Sequence, residues 1–398
     1  MKILHTSDWH LGQSLYSYDR TDEYEHFFQQ LKEIVRWEMP DALLVSGDIY
    51  DVSNPAASVC RMFKDTILEL HSLVPDMSII ITAGNHDSAS RIDIDRNLWK
   101  SSDIHVIGGL DRNEGEFDFS DMIIKVGDKG YVAALPFVNR LLLKRRRGEE
   151  DGEAELLASL SEKVESLNKE QLPVVLMAHL AVEDCDREGH REKTIGGFDT
   201  VDKSIFGDRF DYVALGHIHK QQKFDNGRIA YSGSPIAISF DEHYPHTVSV
   251  VNIEKGKSPD SEELEIKPLR PLHTIPQEGV PFKKALKALE KWPDKDMSYI
   301  RLNVCQPEDM PVDCMEQAVA RAIGKSCRFC TFKVSTTVKR RDEGINQDFH
   351  AFEFKELSPV DVAESFFTTS GVDEELSREY LKMITELEEE LHDEEKAG

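Results

Sequence analysis

Ala83-Gly84-Asn85-His86-Asp87-Ser88 is the stretch that organises the chain. It follows the apolar run Ile79-Ile80-Ile81 and precedes a helix-like segment, so it reads as a strand-to-helix turn opening into a crevice. Gly84 permits a tight turn close to another backbone, Asn85 brings a neutral carbonyl oxygen, and His86 brings an imidazole that carries a proton near neutral pH. One turn thus supplies both a metal ligand and an acid. Asp87 has two readings, as the group that orients the His86 ring and as a helix cap.

Working outward, other apolar strands end in the same chemistry. Lys2 to Ser7 runs into Asp8-Trp9-His10, where residues two apart share a face and can grip one ion. Ala42 to Val45 ends in Ser46-Gly47-Asp48, Val174 to Met177 ends at His179, and Asp211 to Leu215 ends at Gly216-His217-Ile218-His219. Between the first strands lie helices. Thr21 or Asp22 caps one whose apolar face is Phe27, Phe28, Leu31, Ile34 and Val35, and Asn54 caps the next with Pro55 at its first position. Strand, polar turn and helix repeat three times, which predicts a largely parallel sheet with its ligand at the carboxyl ends of the strands. Crowded imidazoles and carboxylates at one sheet edge call for a cation, and a two-metal site accounts for the whole set.

The rest of the chain reads differently. Ile104 to Phe137 is predicted as short antiparallel strands extending a second sheet, and Glu153 to Asn168 as an amphipathic helix. Glu183 to Gly197 is a Gly-rich polar loop, and Pro268, Pro271 and Pro276 punctuate a linker-like stretch. Beyond it, helices at Phe282 to Trp292 and Cys314 to Ile323 and strands at Tyr299 to Val304 and Arg328 to Val334 predict a small α+β unit.

At 398 residues with 40% hydrophobic content, two or three soluble domains are expected. No apolar stretch is long enough to cross a bilayer and the first residues have no secretory h-region, so a cytoplasmic location without membrane attachment is expected. Six cysteines fit that compartment as reduced thiols, and the Cys327/Cys330 pair reads better as buried thiols than as structural zinc. The net charge of -26 opposes polyanion binding, but from Glu356 to Gly398 there are 14 acidic residues against Arg378, Lys382 and Lys396. Two basic runs, Lys144-Arg145-Arg146-Arg147 and Lys339-Arg340-Arg341, are candidates for neutralising phosphates.

Asp8-x-His10, Gly47-Asp48, Gly84-Asn85-His86-Asp87, His179 and Gly216-His217-x-His219 resemble, in order, the five motifs of the calcineurin-like metallophosphoesterases. His5 to Gly12 and Leu215 to Lys220 resemble more closely a DNA-repair nuclease branch of that superfamily, over essentially the whole chain. Leu180 and Gln221-Gln222 depart from the usual pattern at positions that are not ligands. The resemblance implies a four-layer α/β/β/α sandwich with a small α+β capping domain and a C-terminal helical segment. Its domains would be a nuclease over residues 1–271, a capping and DNA-binding unit over 272–341, and a linker with an acidic helical segment over 342–398. It also implies one ion on Asp8, His10, Asp48 and His219, a second on Asp48, Asn85, His179 and His217, and His86 at the scissile phosphate or leaving oxygen. The family uses manganese, whereas ligand chemistry alone leaves magnesium, iron and zinc open. DNA, an ATPase with long coiled coils docking on the acidic segment, and homodimerisation within a heterotetramer complete the implied partners. A small-molecule metallophosphoesterase acting on nucleotides or cyclic nucleotides is the alternative enzyme, and a DNA-end-binding scaffold is the alternative without chemistry.

Overall fold

The computed structural model describes residues 1–113, 116–138, 152–188, 200–305 and 310–335. The first sheet is built from β1 (Lys2–Thr6), β2 (Ala42–Ser46), β3 (Ser78–Thr82) and β4 (Ile104–Ile107), all parallel. Helices α1 (Thr21–Glu38) and α2 (Ala57–Leu73) connect β1 to β2 and β2 to β3, while the short α3 (Ala89–Asp93) and α4 (Arg96–Lys100) precede β4. Period-two alternation sorts the side chains of these fully buried strands. Leu4, Leu43, Val45, Ile79 and Ile81 pack with Phe27, Phe28, Leu31 and Val35 of α1 and with Phe63, Ile67 and Leu70 of α2. Ile3, Leu44 and Ile80 point the other way, into the core shared with the second sheet.

That second sheet uses β7 (Ile123–Val126), β8 (Gly130–Ala134), β9 (Val174–His179), β10 (Tyr212–Gly216), β11 (Gln222–Phe224) and β12 (Ile229–Tyr231), in the order β11-β12-β10-β9-β8-β7. Its four central strands are parallel, with antiparallel strands at both edges. Helix α5 (Gly152–Leu167) adds Leu156, Leu157, Leu160 and Val164 to the same core. Helices, sheet, sheet and helix therefore stack as the four-layer sandwich. The chain then returns to the first sheet, where β13 (Thr247–Asn252) runs antiparallel to β1 and β14 (Asp260–Glu265) antiparallel to β13.

Several local expectations need correction. Ile104 to Phe137 does not belong to one sheet: β4 is the parallel edge of the first, β7 and β8 are part of the second, and β5 (Asp111–Asn113) pairs separately with β6 (Glu116–Asp118). Asn54 does not cap α2, which begins at Ala57, because its Oδ1 instead accepts Arg91 Nη2 at 2.6 Å. Helix α1 takes Arg20 as its N-cap residue, and the Asp19 carboxylate receives the Thr21 N–H at 3.0 Å.

The proline-rich stretch is not a linker throughout. Leu272–Val280 is β15, an edge strand running parallel to β16 (Tyr299–Cys305), which in turn is parallel to β17 (Arg328–Ser335). Pro276 is tolerated there because an edge strand leaves one row of N–H groups unpaired. Helices α6 (Phe282–Glu290) and α7 (Cys314–Ala322) make the crossovers, with Leu286, Leu289, Ile300, Leu302 and Phe329 in a separate small core. Cys327 and Cys330 are buried free thiols, and burial pushes the Cys330 thiol up to about 12. Both basic runs, the acidic tail and most of the Glu183 to Gly197 loop lie outside the described residues. Among the described residues no helix is long and apolar enough to cross a membrane.

Candidate metal centre

The ligand-type side chains sit at strand ends of both sheets. Asp8, Asp48 and Asn85 follow β1, β2 and β3, while His179 closes β9 and His217 follows β10. The expectation of one shared sheet edge is thus corrected to two facing edges. Among the described residues three groups of ligand atoms come together: Asp8 with His10 and His219, Asp48 with His179 and His217, and His10 with Asp48 and His86. Asn85 Oδ1 lies 2.9 Å from His179 Nε2 and 3.0 Å from His217 Nδ1. His10 Nε2 and His219 Nε2 are 3.2 Å apart. All eight candidates from the sequence meet in one place, seven proposed ligands and His86.

Glycines let the two sheets approach this closely. A Cβ on Gly216 would stand 1.8 Å from the Ser46 carbonyl oxygen, and one on Gly84 would stand 2.0 Å from Asp48 Oδ1. Ser46 O also receives His179 Nδ1 at 2.9 Å, which leaves Nε2 of that ring facing Asp48 and Asn85. Gly216→Ala is therefore expected to push the Ser46 carbonyl away and destabilise the fold by about 3 kcal/mol, read as a lower denaturation midpoint. Four residues of the cluster hold left-handed backbone, Asp8 (φ 53), His10 (φ 45), Asp48 (φ 50) and His217 (φ 97). Such strain persists where the surrounding fold over-determines it.

The electrostatics suit cations. Burial pushes the Asp8 carboxyl up to about 6, with His179 opposing and Asp48 adding repulsion. Burial would raise Asp48 too, but His179, His10 and His86 hold it well below the usual carboxylate range. Burial lowers the histidines, yet Asp51, Asp48 and Asp8 outweigh it at His10, raised to about 9. Asp48 and Asp8 do the same at His179, raised to about 10. Asp48 Oδ2 is buried without a hydrogen bond, 3.4 Å from His179 Nε2 and 3.7 Å from His10 Nε2. A divalent ion is the partner such an oxygen fits. The donor set of carboxylate, amide and imidazole suits a hard-to-borderline divalent metal.

Protons and metal compete for these imidazoles. A metal held by His10 and His179 would displace their protons at neutral pH, so its affinity is expected to rise as pH rises toward about 9 at His10 and about 10 at His179. Calorimetric Mn2+ titrations in buffers of different ionisation enthalpy are expected to show proton release at neutral pH that vanishes above those values. For chelated protein the linkage has the opposite sense. The raised imidazoles stabilise the fold fully below their ordinary 6.5, and that contribution is lost as pH rises through about 9 and about 10.

Asp87 does neither of the things the sequence suggested. Its carboxylate accepts N–H groups of Gly84 at 2.8 Å and of Ile49 and Tyr50 at 3.0 Å, pinning the turn after β3 to the turn after β2. His86 is oriented instead by the Asp51 carbonyl, 2.8 Å from Nδ1. Sequence reasoning also missed Ser7, whose hydroxyl joins Asp8 Oδ2 to Ser232 Oγ, and Asp51, whose carboxylate lies 3.5 Å from His10 Nδ1. Only the crowding of Asp48 and Asp51 after one strand signalled the latter.

Comparison with known proteins gives the chain's family. The family model of calcineurin-like phosphoesterases matches residues 1–221. A Rhodobacter capsulatus protein, the SbcD component of the SbcCD nuclease, is 34% identical over 73% of this chain and 76% of its own. The SbcD proteins of Escherichia coli K12 and Bacillus subtilis are 28% identical over 74% of both chains and 26% identical over 98% of this chain and 99% of theirs.

Proposed function

The chain belongs to the calcineurin-like phosphoesterases and, among them, to the SbcD nucleases, and from that premise we propose that it cuts DNA in a manganese-dependent reaction under the control of an SbcC-type coiled-coil ATPase. It is a metal-dependent phosphodiesterase. The proposed activities are 3'-5' exonuclease action on duplex ends and endonuclease action on single strands and hairpins, in DNA repair and recombination. A homodimer within a heterotetramer, with residues 342–398 docking on the ATPase and Lys144 to Arg147 and Lys339 to Arg341 on DNA phosphates, extends the proposal to its partners.

The observation that supports it most is the orphan oxygen of Asp48 between two ligand clusters. Asp8, His10, Asp48 and His219 would hold one ion, and Asp48, Asn85, His179 and His217 the other. Two divalent ions held there would supply a water of lowered pKa and positive charge to offset that of the phosphodiester. Asp48 is kept ionised for this by the imidazoles around it. The Asp51 carbonyl takes Nδ1 of His86, so Nε2 is the atom that delivers a proton to the leaving oxygen.

The deciding assay digests labelled duplex and hairpin DNA beside a nucleotide monophosphoester and a cyclic nucleotide, after chelation and re-addition of single metals. Cleavage of DNA restored best by Mn2+ is expected. Hydrolysis of the small esters alone, or restoration by Zn2+ but not Mn2+, would refute the corresponding part.

A further inference from the structure

A chain of hydrogen bonds, buried at its centre, joins the three-stranded unit to one half of the metal centre. Arg328 Nη1 on β17 donates to the Tyr299 hydroxyl on β16 at 2.8 Å, and that hydroxyl donates to Glu23 Oε1 at 2.6 Å. The other oxygen of Glu23 takes Arg20 Nη2 at 2.8 Å, and Arg20 Nη1 donates to Gln13 Oε1 at 2.7 Å. The chain ends at the carbonyl oxygen of His10. Gln13 N donates to it at 3.0 Å, and Tyr24, next to Glu23 on α1, donates its hydroxyl to the same atom at 2.5 Å.

Each link is hard to dispense with. Arg20 is 1% exposed and Glu23 is 3% exposed, so each charge depends on the other and neither can turn to water. His10 holds left-handed backbone, which a non-glycine residue keeps only while its peptide groups are tied down. The opposite half of the centre is anchored elsewhere, by Ser46 O on His179 and by Asn85 between His179 and His217.

We propose that Glu23 and Tyr24, steered by Tyr299 of the three-stranded unit, are positioning residues that set the His10 backbone and so tune the Asp8, His10 and His219 half of the centre. The position of that unit is thereby read out as affinity for one ion of the pair. The proposal rests on the assignment of those three side chains as ligands.

The test titrates Mn2+ alone into the full chain by calorimetry, for the native protein, Tyr24→Phe, Tyr299→Phe and Tyr18→Phe. Tyr18 is the control, because its hydroxyl also bridges the two parts, donating to Phe329 O at 2.9 Å, but does not lead to His10. Tyr24→Phe is expected to weaken one of two Mn2+ binding events by about tenfold or more, and Tyr299→Phe to weaken the same event by about threefold. Tyr18→Phe should leave both unchanged. Saturating Mn2+ should restore the cleavage rate of both weakened variants with the KM for DNA unaltered, which a damaged fold would not permit. Native affinity in both variants, or equal losses in Tyr299→Phe and Tyr18→Phe, overturns the proposal. If Tyr24→Phe does not fold, Tyr299→Phe against Tyr18→Phe decides alone. Absence of Mn2+ binding by the native chain would instead overturn the ligand assignment itself, and the proposal with it.

Discussion

Asp48→Ala protein is expected to lose DNA cleavage to background, a fall of roughly 10^4-fold or more, while remaining folded. Asp48 is the carboxylate common to two of the ligand groups, and its Oδ2 lies within 4 Å of imidazoles from both β9 and the turn after β1. Removing it also takes from His10 and His179 a carboxylate that raises them, so both should titrate nearer to their ordinary 6.5. The expected signature is therefore threefold: no Mn2+ uptake by calorimetry, no cleavage at any metal concentration, and downward-shifted imidazole titrations by NMR. Undiminished cleavage by purified Asp48→Ala would remove the basis for a two-metal centre.

His86→Ala should separate chemistry from metal binding. The backbone N–H of His86 donates to Asp48 Oδ1 at 3.0 Å, and alanine keeps that donor. What is lost is the ring held by the Asp51 carbonyl. Cleavage should fall by about 10^2- to 10^4-fold in kcat, the range for loss of a general acid, with Mn2+ affinity close to native. The competing role for this ring is as a ligand, since it also groups with His10 and Asp48. Loss of Mn2+ binding together with cleavage would assign it there instead.

Much of this centre was legible because its residues lie at the ends of uninterrupted apolar runs. Ile79 to Ile81 and Leu43 to Val45 are buried on both faces, so the first polar residues after them had to fall at a sheet edge. The antiparallel pair β7 and β8 was legible as part of a second sheet, whereas β4 stayed hidden: it shares the short-strand text from Ile104 to Phe137 yet pairs parallel with β3 at the edge of the first sheet. Leu272–Val280 was masked by its proline, and Asp260–Glu265 by an acidic composition that only a solvent-facing edge tolerates. The role of Asp87 was out of reach for a different reason. Its partners are backbone N–H groups, two of them in the turn after the preceding strand, and no side-chain pattern announces them.

Facing edges from separate sheets have a consequence for handling the protein. An ion held by Asp48 and Asn85 on one side and by His179 and His217 on the other would stay bound only while the two layers remain apposed, and so would act as a rivet through the sandwich. Free metal at a hundredfold its dissociation constant should then add about 2.7 kcal/mol to the unfolding free energy. Chelators in a purification buffer would pull that rivet and shorten the shelf life of the whole molecule.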